Sequence, residues 1–162
     1  MNTTVISGPL RRADSVQPFV VGAYGFVVLG IGHLALSAAS ALATKTPRQR
    51  AADTAMREST FSLLGLERAV LDVFTGISIV MALSIITCGL LILTAVRHAP
   101  TLVQRRTAFG WITLTLSLAA LAISVLLLPL PPIVVLTLTS CAFALSLRRA
   151  VPAARAAAGN RR

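Results

Sequence analysis

Charged residues are scarce in this chain and absent from three long stretches of it. Of 162 residues, 12% are charged and 5 are acidic, whereas a soluble domain usually has about 25% charged residues. Uncharged stretches cover residues 15–44, 73–96 and 107–147. A helix needs about 20 mainly apolar residues to cross a bilayer. The shortage of charge therefore excludes an ordinary soluble domain and predicts an integral membrane protein.

Residues that build metal and catalytic sites are also scarce. The chain has two cysteines, Cys88 and Cys141, and two histidines, His33 and His98. A structural zinc site takes four nitrogen or sulfur ligands, and a bis-histidine haem site needs two buried histidines, whereas His98 lies in a basic turn. No HExxH, GxSxG, GxGxxG or Walker pattern occurs. We therefore expect no enzyme activity, no bound metal and no cofactor.

Aromatic residues are few, and the basic tail at 148–162 contains none. Nucleic-acid binders cluster basic residues on a folded face and often add stacking aromatics. Here the 15 basic residues give a formal charge of +10 and lie outside the apolar stretches. We expect these residues to contact anionic lipid head groups, at about 1 kcal/mol each, and we expect no nucleic-acid partner. Their bias toward arginine, with abundant alanine, is typical of GC-rich bacterial genomes.

The apolar stretches predict an all-α fold, an antiparallel bundle of four transmembrane helices. Prolines 129, 131 and 132 divide the third stretch, because proline lacks a donor and restricts its predecessor, and we expect a tight hairpin there. The outer loop at 44–68 is expected to hold a short helix capped by Asp53. The predicted spans are about 18–43, 69–96, 107–128 and 133–147, between tails at 1–17 and 148–162.

A secretory signal is an alternative for the first apolar stretch. Arg11 and Arg12 precede the stretch, and small residues at 40–43 offer a cleavage point. The apolar region exceeds the 7 to 15 residues of a typical signal core, which favours an uncleaved span. Four spans place both termini on one side, and ten basic residues flank that side against five on the other. The positive-inside rule therefore predicts that both termini are cytoplasmic. We expect the spans to lie in the plasma membrane.

Small residues recur along the predicted spans at a spacing of about seven. Such residues let helix backbones approach closely in lipid, and hydroxyl groups bond across the contact. Because small residues are common throughout the chain, chance is the alternative explanation. The residues that we expect to pack are Gly25, Gly32, Gly76, Gly110, Ser117 and Ser124.

Four polar residues are candidates for a functional or structural site. An ionisable group such as His33, near the middle of a span, suggests a proton relay or ligand. The structural alternative is a neutral imidazole bonded to a hydroxyl of a neighbouring helix. Glu67, Arg68 and Asp72 precede the second uncharged stretch, and the spacing of Arg68 and Asp72 predicts an ion pair on one helix face. This group is either a membrane-entry clamp or an ion or proton entrance.

Residues 61–76, FSLLGLERAVLDVFTG, carry a glycine, a glutamate and an arginine before an aspartate and a second glycine. This passage and the four-span hydropathy resemble small uncharacterised four-helix bacterial integral membrane proteins. The resemblance implies an architecture and no activity.

Two functions from different classes follow from these features. The first is a non-enzymatic membrane protein that acts through helix packing, with itself as a homo-oligomer or with a larger membrane partner. The alternative is a small oligomeric transporter or proton-coupled carrier with His33 and Asp72 on its path. A membrane enzyme, with His33 as its only support, is third.

Overall fold

The computed structural model describes residues 10–104 and 106–150, and it is 84% helical. The described elements in chain order are α1 (Leu10–Leu42), α2 (Pro47–Glu58), β1 (Thr60–Leu63), β2 (Leu66–Ala69), α3 (Val70–His98), α4 (Thr101–Gln104), α5 (Ala108–Leu127) and α6 (Leu130–Arg149). Four of these helices, α1, α3, α5 and α6, are long and apolar enough to cross a membrane.

Helix α1 begins well before the predicted start of the first span. The helix starts at Leu10, so Pro18 lies inside it, although the sequence predicts a loose tail to residue 17. Proline removes one backbone hydrogen bond but does not by itself end a helix that its neighbours stabilise. The segment of α1 that is apolar enough to cross a membrane is Val16–Leu42. Residues 1–9 of the predicted tail lie outside the described residues.

The segment between α1 and α3 is more structured than the predicted outer loop. Helix α2 starts at Pro47 behind the N-cap residue Thr46, whose side chain accepts a hydrogen bond from the Gln49 backbone N–H. The Gln49 side chain accepts one from the Thr46 N–H in return, which completes a capping box. The prediction that Asp53 caps this helix is therefore wrong. Asp53 lies inside α2 and forms a salt bridge with Lys45.

Strands β1 and β2 form an antiparallel hairpin that the all-α prediction did not include. A two-residue turn joins them, in which Leu64 and Gly65 have φ values of +53° and +81°. Positive φ at both positions matches a type I′ turn, whose twist suits paired strands. The turn therefore reverses the chain directly before α3, and Arg68 lies in a strand.

Helix α6 begins at Leu130, three residues before the predicted start of the fourth span. Pro131 and Pro132 occupy its first turn, where the missing N–H groups have no helical partner in any case. The helix reaches Arg149 and has 20 residues instead of about 15. Its length therefore suffices to cross a bilayer without thinning it.

The main contacts between the long helices run in the order α3, α1, α6, α5. Helix α1 packs against both α3 and α6, and α5 packs against α6. The core lies toward the N-terminal half of α1, where the rings of Phe19 and Phe143 have centroids 4.8 Å apart. Phe109, near the start of α5, lies 5.8 Å from Phe19. The N-terminal end of α1 and the C-terminal end of α6 therefore lie at the same end of the molecule, which we call the core end.

The other end, which we call the hairpin end, packs loosely. Residues 35–44 of the chain are all exposed, and so are most residues in the first two turns of α3. The cluster of buried hydrophobic side chains that joins the helices therefore lies in the half that contains the phenylalanine core.

Candidate functional site

His33 lies on α1 and contacts α3. Its Nε2 lies 2.7 Å from the Ser78 Oγ, a hydrogen bond in which the ring tautomer decides the donor. Both residues are partly buried. The bond joins His33 to a hydroxyl of a neighbouring helix, which is the arrangement that the structural alternative describes.

Close backbone contact between α1 and α3 lies just beyond this hydrogen bond. A Cβ at Gly30 would lie 2.8 Å from the Ala82 carbonyl oxygen, and one at Gly89 would lie 2.9 Å from the Ala23 carbonyl oxygen. Each helix thus places a glycine against a carbonyl of the other, a contact that no larger residue permits. This pairing brings the helices close enough for His33 to reach Ser78.

Gly30 and Gly22 were missed by the sequence pattern. A Cβ at Gly22 would clash with the Phe143 ring of α6. Gly22 precedes Gly25 by three residues, so both lie on the face of α1 toward α6, whereas Gly30, five residues after Gly25, faces α3. Counting in sevens from Gly25 instead selects Gly32, which faces away from the contact.

The predicted packing glycines have different surroundings. Gly25 faces the Thr139 side chain of α6, and Gly110 would place a Cβ 2.8 Å from the Leu147 Cδ2. In contrast, Gly32 and Gly76 have no atom within 4 Å of an added Cβ. Neither glycine therefore packs inside this chain, because no described segment approaches α1 or α3 at these two positions.

The contact between α5 and α6 is polar at its centre. Ser117 is fully buried, and its Oγ lies 3.0 Å from the Ser140 Oγ. Either hydroxyl can be the donor in this contact, and the Ser117 Oγ also lies 3.0 Å from the Leu114 carbonyl oxygen, which can accept its hydrogen. Ser124 is also buried. Ser117 and Ser124 thus lie on the face of α5 where the sequence predicts packing.

Two further polar groups lie at helix contacts. The Arg106 Nε donates to the Leu147 carbonyl, 3.2 Å away, and satisfies one of the free carbonyls in the last turn of α6. The Thr139 Oγ1 is buried over Gly25 and has no hydrogen-bond partner. The Arg106 contact lies outside the predicted residues, whereas the Thr139 contact involves the predicted packing residue Gly25.

Glu67, Arg68 and Asp72 do not form the predicted clamp. All three side chains are exposed, and no salt bridge joins Arg68 to Asp72. The prediction assumed one continuous helix, but α3 begins at Val70, so the two residues belong to different elements. Asp72 lies in the first turn of α3, where the helix dipole favours a carboxylate.

His33 and Asp72 are not part of one cluster. Ser78, the partner of His33, follows Asp72 by six residues in α3, which corresponds to about 9 Å along the helix axis. Within the described residues, no group of three or more His, Cys, Asp or Glu side chains has a geometry that could hold a metal ion.

A depression at the hairpin end lies where α1 meets the start of α2. Its volume is about 370 Å³, and Lys45 and Asp53 are the charged residues of its lining. These two residues form a salt bridge. The charges of the lining therefore neutralise each other instead of serving a charged ligand.

No protein-family model matches this chain, and it has no significant similarity to curated proteins or to solved structures. Its function must therefore be inferred from its own residues.

Proposed function

We propose that the chain is an integral membrane protein with four spans, which acts without chemistry of its own by packing against a second copy or a larger membrane partner. The observation that carries this proposal is the large uncovered surface of the long helices. In the most apolar window of each, between 22% and 39% of the residues are buried inside the chain. The remaining apolar surface needs lipid or protein to cover it.

Two unexplained glycines support a protein partner. Glycine in a helix interior costs about 0.5–1 kcal/mol relative to alanine, so it normally serves a close contact. Gly30 and Gly89 have such contacts, whereas Gly32 and Gly76 have none within the chain. A second polypeptide that approaches α1 and α3 near the hairpin end would make close backbone contacts at Gly32 and Gly76, like those at Gly30 and Gly89.

The proposed orientation has the hairpin end outside and both termini in the cytoplasm of a bacterial cell, with the spans in the plasma membrane. The basic turn that contains Arg97 and Arg106, and the end of α6 at Arg148 and Arg149, lie at the core end. The excess of arginine at that end supports this orientation through the positive-inside rule, and in this orientation we expect these residues to contact anionic head groups.

Crosslinking in native membranes, followed by identification of the crosslinked species, tests this proposal. We expect a discrete dimer, a larger oligomer or a complex with one membrane protein. Gly32→Leu and Gly76→Leu should weaken this species, because a leucine blocks close approach of a second helix. Ala122→Leu, at an exposed position of α5, is a matched control for side-chain volume. Recovery of monomer alone, with no partner from native membranes, would contradict the proposal.

The carrier alternative has less support. His33 is bonded to Ser78, and Asp72 is exposed about two turns away along α3. A proton flux into liposomes that falls in both the His33→Ala and the Asp72→Asn variants would support the carrier alternative.

A further inference from the structure

The β1–β2 hairpin has one apolar face and one polar face. Its register pairs Phe61 with Arg68, and Ser62 with Glu67. Because side chains alternate between the faces of a strand, Leu66 shares a face with Phe61 and Arg68, and Ser62 and Glu67 lie on the other. The apolar face thus carries the cation of the hairpin, and the polar face carries its anion.

The apolar face is not covered by the described part of the chain. Phe61 is 52% exposed and Leu66 is 64% exposed, although β2 contacts both α2 and α3. A two-stranded hairpin is only marginally stable in water and normally needs a hydrophobic face packed on something. A covering layer is therefore missing from this face.

The residue at the tip of the hairpin also indicates an apolar environment. Leu64 is 96% exposed and has a φ of +53°, in the left-handed region. Asparagine is a preferred residue at this turn position, since it tolerates positive φ and its polar side chain is hydrated. An exposed leucine at this position is unfavourable in water, whereas in an apolar environment its side chain is removed from water.

The hairpin is attached directly to the N-terminal end of α3. Strand β2 ends at Ala69 and α3 begins at Val70, with no linker between them. With 29 residues, α3 is about 43 Å long, which is enough to span a hydrocarbon core of about 30 Å and to extend into the head-group region. Phe74, one turn into α3, is exposed as well.

We infer that Phe61, Leu64 and Leu66 insert into the outer interface of the bilayer, and that Arg68 contacts the lipid phosphates. The guanidinium group suits phosphate oxygens, and Glu67 lies on the face turned away from them. A second copy fits this face less well, because a two-fold contact would bring two Arg68 side chains into one apolar patch. The inference rests on the proposed insertion of α3.

Single-tryptophan variants in lipid vesicles test this inference. The parent is Trp111→Phe, to which Leu64→Trp or the matched control Ser62→Trp is added. The vesicles are phosphatidylcholine, either plain or brominated near the top of the acyl chains. We expect bromine to quench Leu64→Trp roughly twofold more than Ser62→Trp, since an inserted side chain reaches this depth. Leu66→Trp carries the same expectation from a second position.

A further variant separates this inference from the proposed function. Leu83 lies near the middle of α3 and is 51% exposed, so Leu83→Trp, placed in vesicles whose lipids are brominated near the ends of the acyl chains, reports whether α3 is in the bilayer. Quenching of Leu83→Trp without quenching at Leu64 or Leu66 overturns the hairpin inference alone. No quenching of Leu83→Trp overturns both. A blue-shifted Leu64→Trp that bromine does not quench also refutes lipid insertion, since protein then covers the tip.

Discussion

Two glycines on α1, only two residues apart, have opposite surroundings. A Cβ at Gly30 would lie 2.5 Å from the Ile86 Cγ1 and 2.8 Å from the Ala82 carbonyl oxygen, while one at Gly32 would meet nothing within 4 Å. A side chain can rotate away, but a helix carbonyl cannot move without breaking its own hydrogen bond. The same residue type therefore has a packing role at one position and none inside the chain at the other.

Alanine at these positions should have opposite effects on stability. Gly30→Ala should lower the free energy of unfolding by about 1–3 kcal/mol, the usual cost of overpacking. Gly32→Ala should leave it unchanged or raise it by up to about 1 kcal/mol, through better helix propensity. Unfolding of the monomeric protein in detergent micelles by sodium dodecyl sulfate measures the free energy of unfolding of both variants. Equal destabilisation by the two variants would mean that the α1–α3 contact is misplaced.

The hydrogen bond between Ser117 and Ser140 should have a measurable but small coupling energy. In a double-mutant cycle with alanine at both positions, we expect about 0.6 kcal/mol, and at most about 1.7 kcal/mol, the range for hydroxyl contacts between membrane helices. Ser84 is the control, because its hydroxyl donates to the Val80 carbonyl of its own helix. A cycle between Ser84 and Ser140 should show no coupling. Zero coupling for Ser117 and Ser140 would argue against the α5–α6 contact.

At the scale of elements, short local signals set where helices begin. Helix α2 has no buried residue and is polar along its length, so tertiary packing contributes little to it. Its capping box and Pro47 in the first turn therefore account for much of its stability. In contrast, α3, α5 and α6 have no side-chain cap at their N-termini. Their length and apolar surface stabilise them instead.

Removal of the cap should loosen α2 selectively. Thr46→Ala should cost about 1 kcal/mol locally, which hydrogen–deuterium exchange should detect as a roughly fivefold faster exchange of amides in Pro47–Glu58. Thr44→Ala, two residues earlier and outside the capping box, should leave the exchange unchanged. Exchange in α3 should not respond to either variant. If both threonine variants exchange alike, the capping box does not stabilise α2.

For the whole molecule, the contacts leave α1 and α6 as the central helices, with α3 and α5 on either side. This order concentrates the aromatic core at one end and leaves the hairpin end open. The proposed membrane orientation then turns the closed, arginine-rich end toward the cytoplasm. In the same proposed orientation, the open end, with Gly32, Gly76 and the hairpin, faces the outer interface.

Reporter fusions should reveal this orientation. A fluorescent protein that folds only in the cytoplasm should be bright after Arg162 and after Arg106. A phosphatase that is active only outside the cytoplasm should be active after Gln49, in the segment between α1 and α3. Inverting these results at all three positions would reverse the proposed orientation. A phosphatase that is inactive after Gln49, with a bright fusion there, would mean that α1 does not cross the membrane.

Prediction from sequence succeeded where one physical property dominates. Long uncharged stretches located the four apolar helices, since few arrangements other than a helix satisfy that many backbone groups in an apolar environment. Gly110, Ser117 and Ser124, which recur at seven-residue intervals, are buried in α5. Helix α6 packs against α5.

Prediction failed where neighbouring elements decide. The ion pair between Arg68 and Asp72 assumed a helix, but the Leu64–Gly65 turn closes a hairpin that ends at Ala69. Hydropathy and the order of residues thus locate the four long helices and imply a membrane environment. Which glycines pack, and which hydroxyl bonds His33, depended on how closely α1, α3 and α6 approach one another. That distance varies along each helix, because the helices meet at the phenylalanine core and separate toward the hairpin end.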